Sequence, residues 1–155
     1  MALDRIDRRI LRHLQQDADI TNAALAEAVG LSPSTCLRRV QKLKDQGVIR
    51  RTVAVIDPAA VGRGQTAVVS VQLTHHGAPQ RRDFIARLRR EPAVMQAWGV
   101  TGEPDVILIL QLAAMTEYQG VIERLFAHDP LVERFYTYVA VETYKDVSAV
   151  PLDDG

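Results

Sequence analysis

The stretch that most constrains the fold is residues 21–51, which reads TNAALAEAVGLSPSTCLRRVQKLKDQGVIRR. Its apolar residues recur at helical spacing on both sides of Gly30, so the sequence predicts two short helices joined by a tight turn. Thr21 can cap the first helix, and glycine is the residue best suited to a left-handed helix end. Ser32 and Pro33 then supply a capping hydroxyl and a proline at the first position of the second helix. This order of signals is typical of a helix-turn-helix.

The second helix of this stretch has an apolar side and a polar side. Cys36, Val40 and Leu43 are spaced four and three apart, which gives an apolar inner stripe. Short hydroxyl side chains can approach phosphates or base edges, and an arginine can bind guanine through two parallel donors. We therefore expect DNA contacts from the polar positions at the start of this helix and along its outer side: Ser32, Ser34, Thr35, Arg38, Arg39, Gln41 and Lys42.

Residues 48–55 are rich in β-branched side chains and include Arg50 and Arg51. They predict the first strand of a wing, with the two arginines placed to meet the DNA backbone. The plainer alternative is a helical hairpin with a solvated basic face. The cap, the glycine turn, the Ser-Pro start and the basic wing agree in register, and this agreement favours DNA binding.

The distribution of charge supports the same interpretation. The net charge is +0 overall, but through Thr52 the chain carries ten Lys and Arg residues against six Asp and Glu residues. A basic first third is suited to a polyanion. A single cysteine, Cys36, excludes an internal disulfide framework and a multi-cysteine zinc site. Without a secretory signal or an apolar run of membrane length, the chain is expected to be cytoplasmic.

We expect two domains joined by a linker. The DNA-binding domain spans 1–56, and Asp57-Pro58 ends its last strand because proline cannot continue a ladder. Glycines at 62 and 64 make 57–65 the linker, and the second domain spans 66–155.

The second domain alternates strand and helix in a βαββαβ order. The apolar patterns predict strands over 66–73, 94–100, 106–112 and 135–143, and helices over 78–90 and 116–128, the latter capped by Thr116. This order predicts a ferredoxin-like antiparallel sheet with both helices on one face, so the chain as a whole is α+β. Inward positions of the helices include Ile85. The other sheet face keeps alternating apolar side chains, which indicates pairing with a second copy about a two-fold axis.

The turn at 101–105 is a candidate ligand site. Gly102 permits a positive φ and close approach of backbone N–H groups to a carboxylate, and Asp105 could accept hydrogen bonds from an α-ammonium group. Trp98 and Thr101 could line the same pocket. The alternative is a hairpin in which Gly102 shapes the turn and Asp105 caps backbone amides.

Other chemistry finds little support in the sequence. His75 and His76 are adjacent on a strand pattern and would point to opposite faces, so no shared metal site is expected. No Ser/His/Asp set, P-loop or nucleophile elbow is present in the sequence, so neither a cofactor nor an enzymatic activity is expected.

Three stretches resemble the Lrp/AsnC family of transcription regulators: 3–11 (LDRIDRRIL), 31–40 (LSPSTCLRRV) and Gly102–Asp105. The resemblance covers the chain to about Tyr144. It implies a winged helix-turn-helix followed by a ferredoxin-like domain of the RAM type. It also implies dimers paired through their sheets, often assembled into octamers, and a small amino-acid effector held between dimers near the Gly-x-x-Asp turn.

One departure from the family pattern keeps two further functions under consideration. Many members carry an aromatic residue beside the aspartate, where this chain has Pro104 and Val106. An architectural protein that packs DNA without an effector is therefore an alternative. Siroheme decarboxylases are similar in fold to the family, but they act on a tetrapyrrole, and a basic recognition helix argues against that activity.

Overall fold

The computed structural model of the chain describes residues 3–74 and 78–153. The chain divides into two compact units, one formed by Met1–Ala54 with Lys145–Gly155 and the other by Val55–Tyr144. Within the described residues, no helix is long and apolar enough to cross a bilayer. His75 and His76 lie outside the described residues.

Three helices form the first unit: α1 (Arg5–Gln16), α2 (Asn22–Val29) and α3 (Pro33–Asp45). Their apolar faces meet in one cluster, as the helical spacing predicted. Its buried members are Ile10, Leu11, Leu25, Ala26, Val29, Cys36 and Leu43. Burial raises the pKa of the Cys36 thiol, which makes this cysteine a small core residue rather than a nucleophile.

The segment after α3 differs from the sequence prediction. Residues 50–56 form no strand. A ladder requires a partner strand, and within the described residues each of the four strands pairs only with the others. The predicted wing strand over 48–55 was therefore wrong, although Arg50 and Arg51 are exposed.

A C-terminal segment, Lys145–Gly155, belongs to the first unit. The side-chain amide of Gln15 on α1 donates to the carbonyl of Val150 at 3.1 Å and accepts from its N–H at 2.6 Å. Leu152 packs against the buried cluster of the three helices. The sequence predicted that 66–155 form one domain. No local pattern in the sequence indicates that the C-terminal segment contacts α1.

The second unit has the predicted βαββαβ order. Its elements are β1 (Gln65–Leu73), α4 (Ala78–Arg90), β2 (Val94–Gly99), β3 (Val106–Leu112), α5 (Met115–Leu125) and β4 (Val132–Val139). The sheet order is β2-β3-β1-β4, and every neighbouring pair is antiparallel. This is the ferredoxin-like arrangement, so the predicted α+β fold class is confirmed.

The start of α5 is stabilised differently from the prediction. The helix begins at Met115 and Thr116 does not cap it, because the cap position is Ala114, which makes no side-chain cap bond. Instead, Glu117 Oε2 accepts from the backbone N–H of Ala113 at 2.8 Å, and its other oxygen accepts from Arg63 Nη2 at 2.8 Å. These two bonds hold the pKa of Glu117 below its ordinary value. The end of the predicted linker is thereby fastened to the second unit.

The last strand and one helix face also differ from expectation. β4 covers Val132–Val139 rather than 135–143, because its ladder with β1 continues past an irregularity to the pair Leu73–Val132. Ile85, predicted to face inward, is 36% exposed, whereas Phe84 beside it is fully buried. The inward stripe of α4 therefore runs through Phe84 and Leu88.

The sheet has one covered face and one open face. The covered face packs against α4 and α5 through side chains such as Val69, Val71, Leu108 and Leu110, all fully buried. Residues paired across neighbouring strands share a face, and the pairs Val68–Ile109, Val68–Tyr138 and Trp98–Ile107 place apolar side chains on the other side. We call this second surface the open face; its apolar members are Val68, Trp98, Ile107, Ile109, Tyr136 and Tyr138.

Candidate DNA-binding surface and effector-binding turn

The predicted caps and glycine turn hold α2 and α3 in place. Thr21 Oγ1 accepts from the N–H of Ala24 at 3.2 Å, and Gly30 ends α2 in the left-handed region at φ 72°. Ser32 Oγ accepts from the N–H of Thr35 at 3.3 Å, and Pro33 occupies the first turn of α3. Because these local signals fix the end of one helix and the start of the next, α3 presents a defined outer face.

The outer face of α3 is a strip of side chains three and four residues apart. Ser34, Leu37, Arg38, Gln41 and Lys42 are all exposed and line one shallow depression together with Asp45 and Gln46. Gln41 Nε2 donates to Asp45 Oδ1 at 2.7 Å. In the described part of the chain no carboxylate forms an ion pair with Arg38. Its charge is therefore available to an external anion.

Two of the side-chain hydroxyl groups that were predicted to contact DNA also form hydrogen bonds within the protein. Ser32 Oγ lies 2.8 Å from Thr35 Oγ1 and 3.3 Å from Ser34 Oγ. Ser32 and Thr35 are therefore oriented by the cap of α3, while Ser34 extends this hydroxyl cluster to the exposed strip.

The sequence predicted Arg39 on the outer face of α3, but its side chain contacts the start of α1. Its Nη1 donates to Asp4 Oδ2 at 2.6 Å and to Asp7 Oδ1 at 2.8 Å. The backbone N–H of Asp7 and the Arg39 guanidinium hold the pKa of Asp4 below its ordinary value, and the two carboxylates raise the pKa of Arg39. Arg39 therefore joins α3 to the start of α1.

The turn between β2 and β3 is built around Asp105. Gly102 adopts φ 99°, a region that side-chain-bearing residues rarely occupy. Asp105 Oδ2 accepts from the backbone N–H of Leu73 at 2.8 Å, and its own N–H donates to the carbonyl of Val71 at 3.0 Å. The Asp105 carboxylate therefore caps a backbone amide, as the alternative interpretation of this turn as a plain hairpin predicted. A carboxylate has further acceptor positions, so this bond leaves room for a ligand donor.

Trp98 and Thr101 flank this turn on the β2 side. Trp98 pairs with Ile107 and is 48% exposed, which places it on the open face. Thr101 is exposed within the turn. Towards the turn, the next pair of this ladder is Gly99–Val106, and Asp105 immediately precedes Val106 in the chain. The four predicted effector residues therefore occupy one end of the β2–β3 hairpin.

Two residues near these surfaces were missed by the sequence interpretation. Arg134 on β4 donates to Glu103 Oε1 at 2.7 Å and to Gln72 Oε1 at 2.6 Å, and so links the turn to the sheet. Leu37 lies in the exposed strip of α3. Its spacing of three residues from Ser34 and four from Gln41 was the signal that could have identified it.

Comparisons with known proteins point to one family over most of the chain. Residues 3–50 match the model of winged helix-turn-helix DNA-binding domains, and residues 66–150 match that of the Lrp/AsnC ligand binding domain. The chain is 34% identical to the DNA-binding transcriptional activator DecR of Escherichia coli, covering 97% of this chain and 99% of DecR. It is 40% identical to the leucine-responsive regulatory protein of Rhizobium meliloti, covering 97% and 96%. A transcriptional regulator from Neisseria meningitidis, solved in complex with L-Met, superposes with a TM-score of 0.93 at 31% identity over 98% of both chains.

Proposed function

Since the chain belongs to the Lrp/AsnC family of DNA-binding transcription regulators, we propose that it binds specific duplex sequences through α3 and responds to a small amino acid at the β2–β3 turn. The observation that carries the DNA-binding part is the exposed strip of α3. This strip offers a hydroxyl, an amide and two cations on one helix face, which are the groups that bind base edges and phosphates in the major groove.

The residues of the first unit take different roles in this proposal. Arg38 would meet base edges, since it lies in the N-terminal half of α3, the part of a recognition helix that contacts bases, and Gln41 would contact the neighbouring base pair from the next turn of the same face. Lys42, Arg50 and Arg51 bind the phosphate backbone, and the hydroxyl cluster of Ser32, Ser34 and Thr35 lies at the entry of the helix into the groove. Arg39 is a positioning residue, because its guanidinium is engaged by α1.

The proposed effector is a free amino acid held by its charged ends. Asp105 supplies a fixed negative charge for the α-ammonium group, and the glycine at 102 exposes backbone N–H groups to the α-carboxylate. Thr101 and Trp98 would contact the remainder of the ligand. The Neisseria meningitidis regulator was solved in complex with L-Met, which supports an amino acid as the class of ligand.

The open face supports a homodimer as the assembled form. Trp98, Tyr136 and Tyr138 are 48%, 55% and 61% exposed, and an apolar patch of this kind is typical of an interface. Pairing of two open faces about a two-fold axis would bury the patch of each copy. The resemblance to the Lrp/AsnC family implies further association of dimers into an octamer, and we propose that the β2–β3 turn then lies at a boundary between subunits.

Two observations favour the architectural alternative. The Asp105 carboxylate already accepts from Leu73, and Pro104 and Val106 provide no aromatic wall for a ligand. A chain that packs DNA without an effector would use α3 and the open face in the same way. The two functions differ in their response to amino acids and in their preference among DNA sequences.

The test combines selection of DNA with a ligand screen. Duplexes selected from a random pool by the full-length chain should bind far more tightly than scrambled duplexes of equal length at the same salt concentration. One of the proteinogenic amino acids should raise the melting temperature, because a ligand that binds the folded state stabilises it. Equal affinity for every duplex, with no amino acid shifting the melting temperature, would favour the architectural function.

A further inference from the structure

Leu37 is an apolar side chain in the middle of an otherwise polar surface. It is 59% exposed, whereas Cys36 beside it and Leu43 are 0% and 1% exposed. The core of the first unit therefore does not use Leu37. A single exposed leucine is common on protein surfaces, so its exposure alone has no functional meaning.

The neighbours of Leu37 distinguish it from such a leucine. Leu37 lies three residues after Ser34 and four before Gln41. Arg38 lies four residues after Ser34 and three before Gln41, so all four share the outer face of α3. They line the same shallow depression. Leu37 therefore lies where the proposed function puts the edges of the bases, between side chains that can hydrogen-bond to them.

Within the major groove, one standard base offers a methyl group. Thymine carries a C5-methyl, and the other groups that distinguish the bases there are hydrogen-bond donors and acceptors. A leucine facing only polar edges would displace their water without replacing its hydrogen bonds. A leucine against a methyl group removes apolar surface of both partners from water.

We propose that Leu37 is a specificity-determining residue that reads the C5-methyl of a thymine in the DNA site. This inference rests on the proposed binding of α3 in the major groove. Arg38 and Gln41 would read the hydrogen-bonding edges of adjacent base pairs, and Leu37 would require a T·A pair at its own position.

The test uses the full-length chain and a high-affinity duplex selected from a random pool. Each thymine is replaced singly by uracil, which removes the methyl group and keeps every hydrogen-bonding group. Wild type should lose affinity by about fourfold at the one position in each half-site that Leu37 contacts, the factor expected for one buried methyl group. Leu37→Ala should bind the thymine duplex more weakly and should be indifferent to uracil at that position.

Two further variants serve as controls. Leu37→Met keeps an apolar side chain of similar volume and should keep the sensitivity to uracil. Val147→Ala changes a 64%-exposed apolar residue of the same unit on the C-terminal segment instead of α3. It should leave both the affinity and the response to uracil at their wild-type values.

The outcomes separate this inference from the proposed function. If Arg38→Ala weakens binding but wild type tolerates uracil at every position, the role of Leu37 is overturned and the DNA-binding proposal stands. The role is also overturned if Leu37→Ala retains the full uracil effect, or if selected half-sites contain no thymine on either strand. It is likewise overturned if Leu37→Ala changes only the oligomeric mass, which would make Leu37 a protein contact. If no duplex is enriched, the proposed function fails and this inference fails with it.

Discussion

Asp105 and Leu73 are joined by a hydrogen bond of 2.8 Å from the backbone N–H at the end of β1 to the carboxylate Oδ2 of the turn. The same aspartate is the proposed partner of an effector ammonium group. The two roles depend on different properties, because the bond to Leu73 needs an acceptor oxygen whereas the ammonium group needs a negative charge. Substitutions can therefore separate them.

Asp105→Asn should abolish the stabilisation by an amino-acid ligand while keeping the melting temperature of the ligand-free protein close to wild type. The asparagine carbonyl can still accept from Leu73, but it carries no charge. Asp105→Ala should lose both, with a fall of about 1–3 kcal/mol in the free energy of unfolding, because a backbone N–H loses its partner. Calorimetric titration of both variants checks this, and ligand affinity equal to wild type in Asp105→Asn would place the pocket elsewhere.

Arg38→Ala and Arg39→Ala should differ in kind, although the two residues are adjacent. Arg38→Ala should weaken binding to a selected duplex by about 1–3 kcal/mol and leave thermal unfolding unchanged. Arg39→Ala should lower the unfolding free energy of the first unit by about 1 kcal/mol, since it removes two partly exposed ion pairs. Arg39→Lys should restore part of this loss.

Fluorescence anisotropy and thermal unfolding measured on the same preparations distinguish the two arginines. The salt dependence of binding adds a second criterion. A shallower slope for Arg38→Ala would indicate a phosphate contact, whereas an unchanged slope with a relaxed preference at one base pair would indicate a guanine contact. Wild-type DNA affinity in both variants would remove α3 from the binding surface.

The ion pair of Glu91 with Arg124 should make the second unit sensitive to acid. The Glu91 side chain is 7% exposed and accepts from Arg124 at 2.9 and 3.0 Å. These bonds hold the pKa of Glu91 below its ordinary value. The stabilisation is therefore fully present above the unfolded-state pKa, near 4.5, and is lost as the pH falls through the lower folded-state value.

Glu91→Gln should remove this component of the pH dependence. At neutral pH the variant should be less stable by about 1.5–3 kcal/mol, the range for a hydrogen bond to a charged partner. Between neutral pH and pH 3, its melting temperature should fall less than that of wild type. Glu123→Gln, a change to an exposed residue beside Arg124 on α5, is the control. Parallel pH profiles for wild type and Glu91→Gln would contradict the expectation.

Ile109→Glu should dissociate the assembled protein. Ile109 pairs with Val68 in the middle of the open face, and a carboxylate there would be buried without a partner in a sheet-paired dimer. Light scattering should show the mass of a monomer at micromolar concentration. Ile85→Glu places the same charge on the helical side of the unit, where Ile85 is 36% exposed, and should keep the wild-type mass. An unchanged mass for Ile109→Glu would exclude this face from the interface.

Gln15→Ala should loosen the C-terminal segment. Loss of the paired bonds to Val150 should accelerate hydrogen exchange at the Val150 amide and reduce the stability of the first unit by about 1 kcal/mol. Gln16→Ala changes an exposed neighbour on the same helix and should leave the exchange rate unaltered. Equal exchange in wild type and Gln15→Ala would mean that the pairing with α1 does not persist in solution.

The sequence predicts the parts of this molecule that depend on local signals. Thr21, Gly30 and Ser32 act as caps and helix ends because their effects reach only three or four residues along the chain. The strand over 106–112 is found with its predicted bounds, since the short apolar run over 106–110 is typical of a strand.

Features that depend on distant partners were not predictable in this way. The orientation of Arg39 is decided by Asp4 and Asp7, more than 30 residues earlier in the chain. Residues 48–55 have strand propensity, but propensity gives no strand where no partner is present. The position of the C-terminal segment depends on Gln15, at a separation of 135 residues.

Because of this separation, the contacts within the first unit can be completed only after the second unit has been synthesised. The helices of the first unit are synthesised first, but Val150 and Leu152 leave the ribosome only after the whole of the second unit has been synthesised. A nascent chain therefore carries α1 with the site for Leu152 uncovered and the Gln15 amide bonded to water. The first unit therefore reaches its final stability only after β4 and the segment that contains Val150 and Leu152 have been synthesised.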